Sequence, residues 1–363
     1  MSKNNSKSRV ELVKKRKMRR WLKLTLLLVV ILGVAVGAYA TNLYLKAGEA
    51  ADKAYEEDDR VKSDLREEEI DPKYDHVSIL LLGVDENDKR KDREIARTDA
   101  IVLATLNRDS NSVKLVSIPR DSLVYIPQVG YEDKINHAHA FGEAALKRYE
   151  RGEEFESKPS GSKAVVDTVE HLLDIPVDYY AKVNFKAFVD IVDALGGIDT
   201  EVPYEFKESN SDDKRDSIHL MPGEQRLNGE EALALARTRK QDSDYMRGQR
   251  QLQIIDAIID KATSLQSIFK YDDVIKAVGD NMSTNMSFKD MKSFSNIVTG
   301  GKKLSVEQLQ LEGDDYQPSN VYYWQLDQES VDEVKLELKE HLDLIENQDD
   351  IEEAYENESN NEW

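Results

Sequence analysis

The chain has 363 residues, 40% of them hydrophobic, no cysteine and a formal net charge of −21. That is enough apolar material for one large core or two small ones, and it excludes disulfide and thiolate chemistry. The first 23 residues carry a net +9, which leaves −30 on the rest, a body that repels nucleic acid except at a local basic site.

Residues 1–21 read as a basic cytoplasmic tail. The run from Leu22 to Leu45 (LKLTLLLVVILGVAVGAYATNLYL) is largely apolar and long enough to cross a bilayer as one helix. The basic cluster precedes it, so the N-terminus is expected in the cytoplasm and everything after Tyr44 outside the cell membrane, as a single-pass protein. Ala38-Tyr39-Ala40 resembles a small-x-small cleavage site, but the apolar run continues past it to Leu45, which favours an uncleaved anchor. Residues 46–75 are charged with few apolar positions and predict a partly helical stalk; residues 76–345 follow as the folded domain. From Glu346 to Trp363 the composition is mostly Asp, Glu, Asn and Ser, that of a disordered acidic tail.

Within the domain, Val77 to Val84 is a nearly continuous apolar run, the pattern of a strand covered on both faces. Further strands are expected at Ala100 to Leu106, Val113 to Ile118, Leu123 to Ile126, Tyr180 to Val183, Ile198 to Val202, Val306 to Leu311 and Val321 to Trp324. Helices are expected from about Asn136 to Tyr149, and at Ala164 to Leu173, Phe185 to Leu195, Phe288 to Val298 and Gln328 to Leu342. Gly196-Gly197 stops the third of these. Strands alternating with helices predict a layered α/β sandwich around a central mixed sheet.

Asp85, Asp99 and Arg120 fall at strand ends, where open α/β sheets place their ligands. Two such carboxylates suit Mg²⁺, which takes one or two protein carboxylates and completes its shell with water and phosphate oxygens; the same residues also suit turn caps. Arginines concentrate between Leu227 and Ile255, at Arg237, Arg239, Arg247 and Arg250. A short helix ending near Ala236 and an extended segment after it would put Arg237 and Arg239 on one face. Asp244, Arg247 and Gln251 share a face of a helix beginning near Ser243 or Asp244, whereas Arg250 lies off that face and is expected to be a bystander. Such guanidinium forks suit a phosphate; arginines paired with surface acids are the alternative. No Walker-type loop, Gly-x-Ser-x-Gly elbow or His-Glu-x-x-His motif is present, and His137 and His139 do not suggest a metal site.

The segments ILLLGVD (79–85), RTDAIVLATLN (97–107), VSIPRDSLVYIP (116–127), KINHAHAFG (134–142), FVDIVDALGGIDTEVP (188–203) and LNGEEALALARTRKQDSDYMRGQRQ (227–251) resemble, in order, the motifs of the LytR-CpsA-Psr family. The resemblance covers about half the chain. It implies an extracytoplasmic transferase of a Gram-positive-type envelope that moves a glycopolymer, such as teichoic acid or capsule, from a polyprenyl diphosphate carrier to peptidoglycan, with a greasy pocket for the prenyl chain. It further implies that Asp85 and Asp99 help hold Mg²⁺ and that Arg97, Arg120, Arg237, Arg239, Arg247 and Gln251 contact the diphosphate. Lys134, Asn136 and Asp244 match motif positions, the first two beside the diphosphate and Asp244 as a candidate base. The charged stretch between Asp85 and Arg97 and the single Gly142, where many relatives carry a glycine pair, depart from the family pattern. A hydrolase using the same site and a non-catalytic lipid-binding scaffold are the alternatives; envelope-synthesis proteins would be partners.

Overall fold

The computed structural model describes residues 42–57, 60, 62–84, 97–239, 244–263, 281–299 and 304–345. Two compact units are distinguished, residues 1–49 and 50–363. Of the first, residues 42–49 are described and are helical. Among the described residues no helix is long and apolar enough to cross a membrane; the run from Leu22 lies outside them except for residues 42–45. The acidic tail from residue 346 also lies outside them.

The second unit is built on a six-stranded mixed sheet. Its central strands are β1 (Val77–Val84), β2 (Thr98–Asn107) and β3 (Ser112–Ser117), joined antiparallel in sequence. One short pair, β4 (Leu123–Ile126) with β5 (Tyr131–Lys134), a 3-10 turn and two helices lead on to β6 (Tyr179–Asn184), which lies parallel to β1 on its other side. After β6, β7 (Ile198–Val202) pairs with β10 (Gly223–Leu227), while β8 (Phe206–Glu208) and β9 (Ile218–Leu220) form a hairpin. β11 (Met282–Thr284) and β12 (Ser305–Gln310) close the two edges of the large sheet, and β13 (Gly313–Tyr316) and β14 (Tyr323–Leu326) form a last hairpin. The last strand therefore begins two residues later than the apolar pattern suggests, because the chain bends over residues 318–321.

Both faces of the sheet are covered, which is why β1 reads as an unbroken apolar run. Leu80 and Leu82 pack with α1 (Ala138–Tyr149), α2 (Gly161–Leu173) and α7 (Gln328–His341), through Phe141, Val165, Val169, Val334 and Leu338 among others. Ile79 and Leu81 face the opposite way, toward α5 (Asp244–Thr263) and α6 (Phe288–Thr299), through Leu252, Ile255 and Phe294. A lateral cluster joins α3 (Phe185–Leu195), α4 (Gly229–Arg237) and the β7–β10 pair to Ile254 of α5. Gly142 is where α1 crosses α2: a Cβ there would lie 2.2 Å from the carbonyl oxygen of Ser160, so this position admits no side chain.

Part of the charged segment read as a stalk is bound to this domain. Arg60 grips both carboxylate oxygens of Glu170 at 3.0 and 2.9 Å and the carbonyl of Val177 at 2.7 Å. Arg66 makes a two-nitrogen fork on Asp178, Nε and Nη2 donating to its two carboxylate oxygens at 3.0 and 2.7 Å, whereas Arg60 reaches Glu170 through Nη1 alone. The Arg66 pair is bidentate and largely buried, the geometry in which an ion pair contributes to stability.

At the far end of α7, His341 is buried between two hydroxyls, Thr105 Oγ1 on Nδ1 and Ser112 Oγ on Nε2, each at 2.8 Å. Burial pushes its pKa down from 6.5 to about 4, reinforced by the Lys114 ammonium. The folded state therefore binds fewer protons than the unfolded chain between those values, so stability is full above about pH 6.5 and is lost as pH falls toward 4. Urea unfolding at pH 7 and pH 4.5 is expected to show His341→Gln losing less stability on acidification than the wild type; equal losses would remove His341 from the pH dependence.

Candidate functional site

The carboxyl ends of β1, β3 and β6 and the start of β2 meet at one edge of the sheet, since Val84 pairs with both Asn184 and Thr98. Gly83 pairs with Ala100 and Val84 with Thr98, so Asp99 is the extra residue of a β-bulge. Bulges re-aim side chains at strand ends. Here the Asp99 carboxylate, 29% exposed, accepts a hydrogen bond from Nη1 of Arg120.

Arg120 follows β3 through Pro119 and sits on a loop stitched down by its neighbours. The backbone N–H of Asn136 donates to the Arg120 carbonyl at 3.1 Å, and that of Ile135 to Ser122 at 3.0 Å. The buried Asp121 carboxylate accepts from Lys134 Nζ at 2.9 Å and from Asn136 Nδ2 at 3.5 Å, and lies 3.4 Å from Nε of Arg120. The backbone N–H of Trp324 in β14 donates to the Asp121 carbonyl at 2.9 Å. Lys134 and Asn136 thus stand behind Arg120 and orient its loop through Asp121. Asp121 itself was not singled out from the sequence; its adjacency to Arg120 is the only local signal.

The second group of arginines comes from α4 and α5. Asn228 and Glu231 form a reciprocal capping box that starts α4, and the helix runs one residue further than expected, to Arg237. Thr238 is extended and fully buried, between half-buried Arg237 and exposed Arg239. The Arg237 guanidinium stacks on the ring of Phe185 at 4.5 Å, and Phe185 directly follows the end of β6. Nη1 of Arg237 is buried and has no hydrogen-bond partner among the described residues. Arg247, 5% exposed, precedes Gly248, whose hypothetical Cβ would lie 2.8 Å from Oγ of Ser117; only glycine lets α5 come so close to the end of β3. The structure therefore brings Asp99, Arg120, Arg237 and Arg247 to one sheet edge. Arg97 is exposed just before β2. Asp85 lies outside the described residues, as does the side chain of Asp244, the first residue of α5.

Among the described residues no group of three acidic or histidine side chains could hold a metal ion. Among the described residues at this end of the sheet, Asp99 offers a part-exposed carboxylate, which fits an ion that needs only one or two protein carboxylates beside phosphate and water. A cleft of about 910 Å³, lined by Leu65, His76, Lys335 and Leu342 among others, lies at the opposite end, where β1 starts.

Gln251 and Arg250 turn toward α4. Gln251 Nε2 donates to the Ala236 carbonyl at 3.4 Å, while Arg250 donates to Leu235 at 3.2 Å and Thr238 at 2.6 Å, with its guanidinium over the Tyr204 ring. They satisfy the carbonyls that a helix end leaves open, and so set the course of residues 237–239. Arg250, 4% exposed, is no bystander: the position off the face of Arg247 points it into the protein. Arg250→Lys is expected to cost about 2 kcal/mol, because one ammonium cannot span both carbonyls. Thermal unfolding beside the exposed Arg239→Lys checks this, and an unchanged Arg250→Lys melting temperature would contradict it.

The LytR_cpsA_psr family profile matches residues 41–340. The polyisoprenyl-teichoic acid–peptidoglycan teichoic acid transferase TagT of Bacillus subtilis is 41% identical over 332 residues, covering 91% of this chain and 97% of that protein. TagU of the same organism, named for the same transfer, is 36% identical over 332 residues, 91% of this chain and 98% of that protein. A solved structure of TagT (YwtF) with bound octaprenyl pyrophosphate lipid superposes with a TM-score of 0.59 at 38% identity, over 78% of this chain and 97% of that one. The chain belongs to the LytR-CpsA-Psr family.

Proposed function

We propose that the chain is a membrane-anchored, extracytoplasmic phosphotransferase that moves a teichoic-acid-class glycopolymer from a polyprenyl diphosphate carrier to a hydroxyl of peptidoglycan, forming a phosphodiester. The observation that carries this reading is the buried Nη1 of Arg237, lacking a hydrogen-bond partner among the described residues at the edge that also presents Arg120 and Arg247. A buried guanidinium N–H left unmade is costly, and a diphosphate oxygen would supply the partner. The names of TagT and TagU, and the octaprenyl pyrophosphate held by TagT, support the same substrate class. The apolar run from Leu22 to Leu45 behind a basic tail supports the anchor and the outward-facing domain.

In this reaction a peptidoglycan hydroxyl attacks the phosphorus that bears the glycopolymer. A P–O bond to that sugar forms, the P–O bond to the carrier breaks, polyprenyl phosphate leaves, and the hydroxyl proton passes to a base, for which Asp244 is the candidate. Arg120, Arg237, Arg239 and Arg247 would hold the phosphate oxygens and offset the charge growing on the leaving group, with Arg97 at the rim. Lys134 and Asn136 act on the diphosphate through Asp121 and Arg120, and Gln251 through the end of α4. Asp99, together with Asp85, would hold Mg²⁺, which when bound supplies further neutralisation of the diphosphate.

Single Lys replacements of Arg120, Arg237 and Arg247 keep the charge but lose the fork, and are expected to lower transfer from a polyprenyl diphosphate donor to peptidoglycan fragments about a hundredfold. Losses no larger than that of Arg226→Lys, an exposed arginine paired with Asp199, would reduce the cluster to surface charge. Glycan phosphate released equally well without peptidoglycan would make the protein a hydrolase. Asp99→Ala is expected to abolish metal-dependent turnover at an unchanged melting temperature; full activity across a Mg²⁺ titration and after chelation would remove the ion from the mechanism.

A further inference from the structure

The β13–β14 hairpin stands beside the arginine site and carries side chains that the phosphate chemistry leaves unused. Its backbone is docked there through the Trp324 N–H on Asp121 and a bridge between Ser122 and Trp324. Lys134, whose ammonium is held by Asp121, lies 5.7 Å from the ring centre of Tyr322 and 5.6 Å from that of Tyr323. Tyr323 is in turn 6.5 Å from Tyr316, the two rings tilted at 42°. Tyr316 is 40% exposed and Tyr322 donates its hydroxyl to Asp315 at 2.9 Å. An unbroken series of contacts therefore runs from Arg120 through Asp121 and Lys134 to an exposed aromatic surface.

The charge on this surface selects its guest. Glu312, Asp314 and Asp315 are exposed on the same hairpin, so a phosphate or an anionic lipid would be repelled. A neutral sugar is not: its hydroxyls donate to carboxylates, and its C–H face packs on an aromatic ring, which is apolar in the middle and polar at the tip. We propose that Tyr316, Tyr322 and Tyr323 form a sugar-binding subsite that stacks a pyranose ring next to the phosphate held by the arginines. The subsite rests on the transferase reading, which places a sugar on each side of the reacting phosphorus. The sugar belongs either to the glycopolymer or to the peptidoglycan acceptor.

The experiment uses the full chain in detergent, with Tyr316→Ala, Tyr322→Ala and the ring-preserving Tyr316→Phe. Calorimetry with octaprenyl diphosphate, which has no sugar, is run beside transfer kinetics in which glycan-bearing donor and peptidoglycan fragments are varied in turn. Both alanine variants are expected to raise KM about tenfold for one of the two sugar substrates, leaving the octaprenyl diphosphate Kd and the melting temperature unchanged; Tyr316→Phe should retain the wild-type KM. A raised KM for donor assigns the glycopolymer, and for fragments the acceptor. Unchanged KM for both, or an equal loss of octaprenyl diphosphate affinity, overturns the subsite while leaving the transferase reading intact. Failure of the wild type to bind octaprenyl diphosphate overturns both.

Discussion

A carboxylate almost out of water is tolerated only where cations and donors surround it, and Asp121 is such a group. It draws in Lys134 and Asn136 and the edge of the Arg120 guanidinium, while its backbone carbonyl takes the N–H of Trp324. Three segments, the loop after β3, the turn after β5 and the last hairpin, are therefore tied to one residue. Arg120 then points at Asp99 because its loop has no freedom to do otherwise. A guanidinium on a loose loop would lose conformational entropy on meeting an anion; one held in advance does not.

The second arginine group is positioned by a different device. A helix end leaves carbonyls unsatisfied, and α4 offers them to side chains of α5 rather than to water. This ties the end of α4, which carries Arg237, to the helix that carries Arg247. Phe185 completes the arrangement by packing its ring against the Arg237 guanidinium. The strongly negative composition sharpens the contrast: a cluster of arginines at a strand end in an acidic protein attracts small anionic groups.

Periodicity and apolar runs were enough to establish the layered α/β architecture, because a strand buried on both faces is mostly apolar and an amphipathic helix must repeat. The strand ends holding Asp99 and Arg120 followed directly from that pattern, and the crowding of arginines between Leu227 and Ile255 was visible before any coordinate. Local sequence could not say which arginine faces a ligand and which caps a helix. Arg247 and Arg250 are three residues apart and chemically identical, yet Arg250 satisfies the carbonyls of Leu235 and Thr238 while Arg247 adjoins Gly248, where α5 packs on Ser117 at the strand end. The pairings of Arg60 with Glu170 and Arg66 with Asp178 were equally hidden, since a charged residue reads as solvated until its distant partner is known. Composition determined what kinds of group the protein possesses and their spacing determined the elements. Tertiary structure alone decided which groups meet, because hydrogen bonds and ion pairs act over a few ångströms in space whatever the separation along the chain.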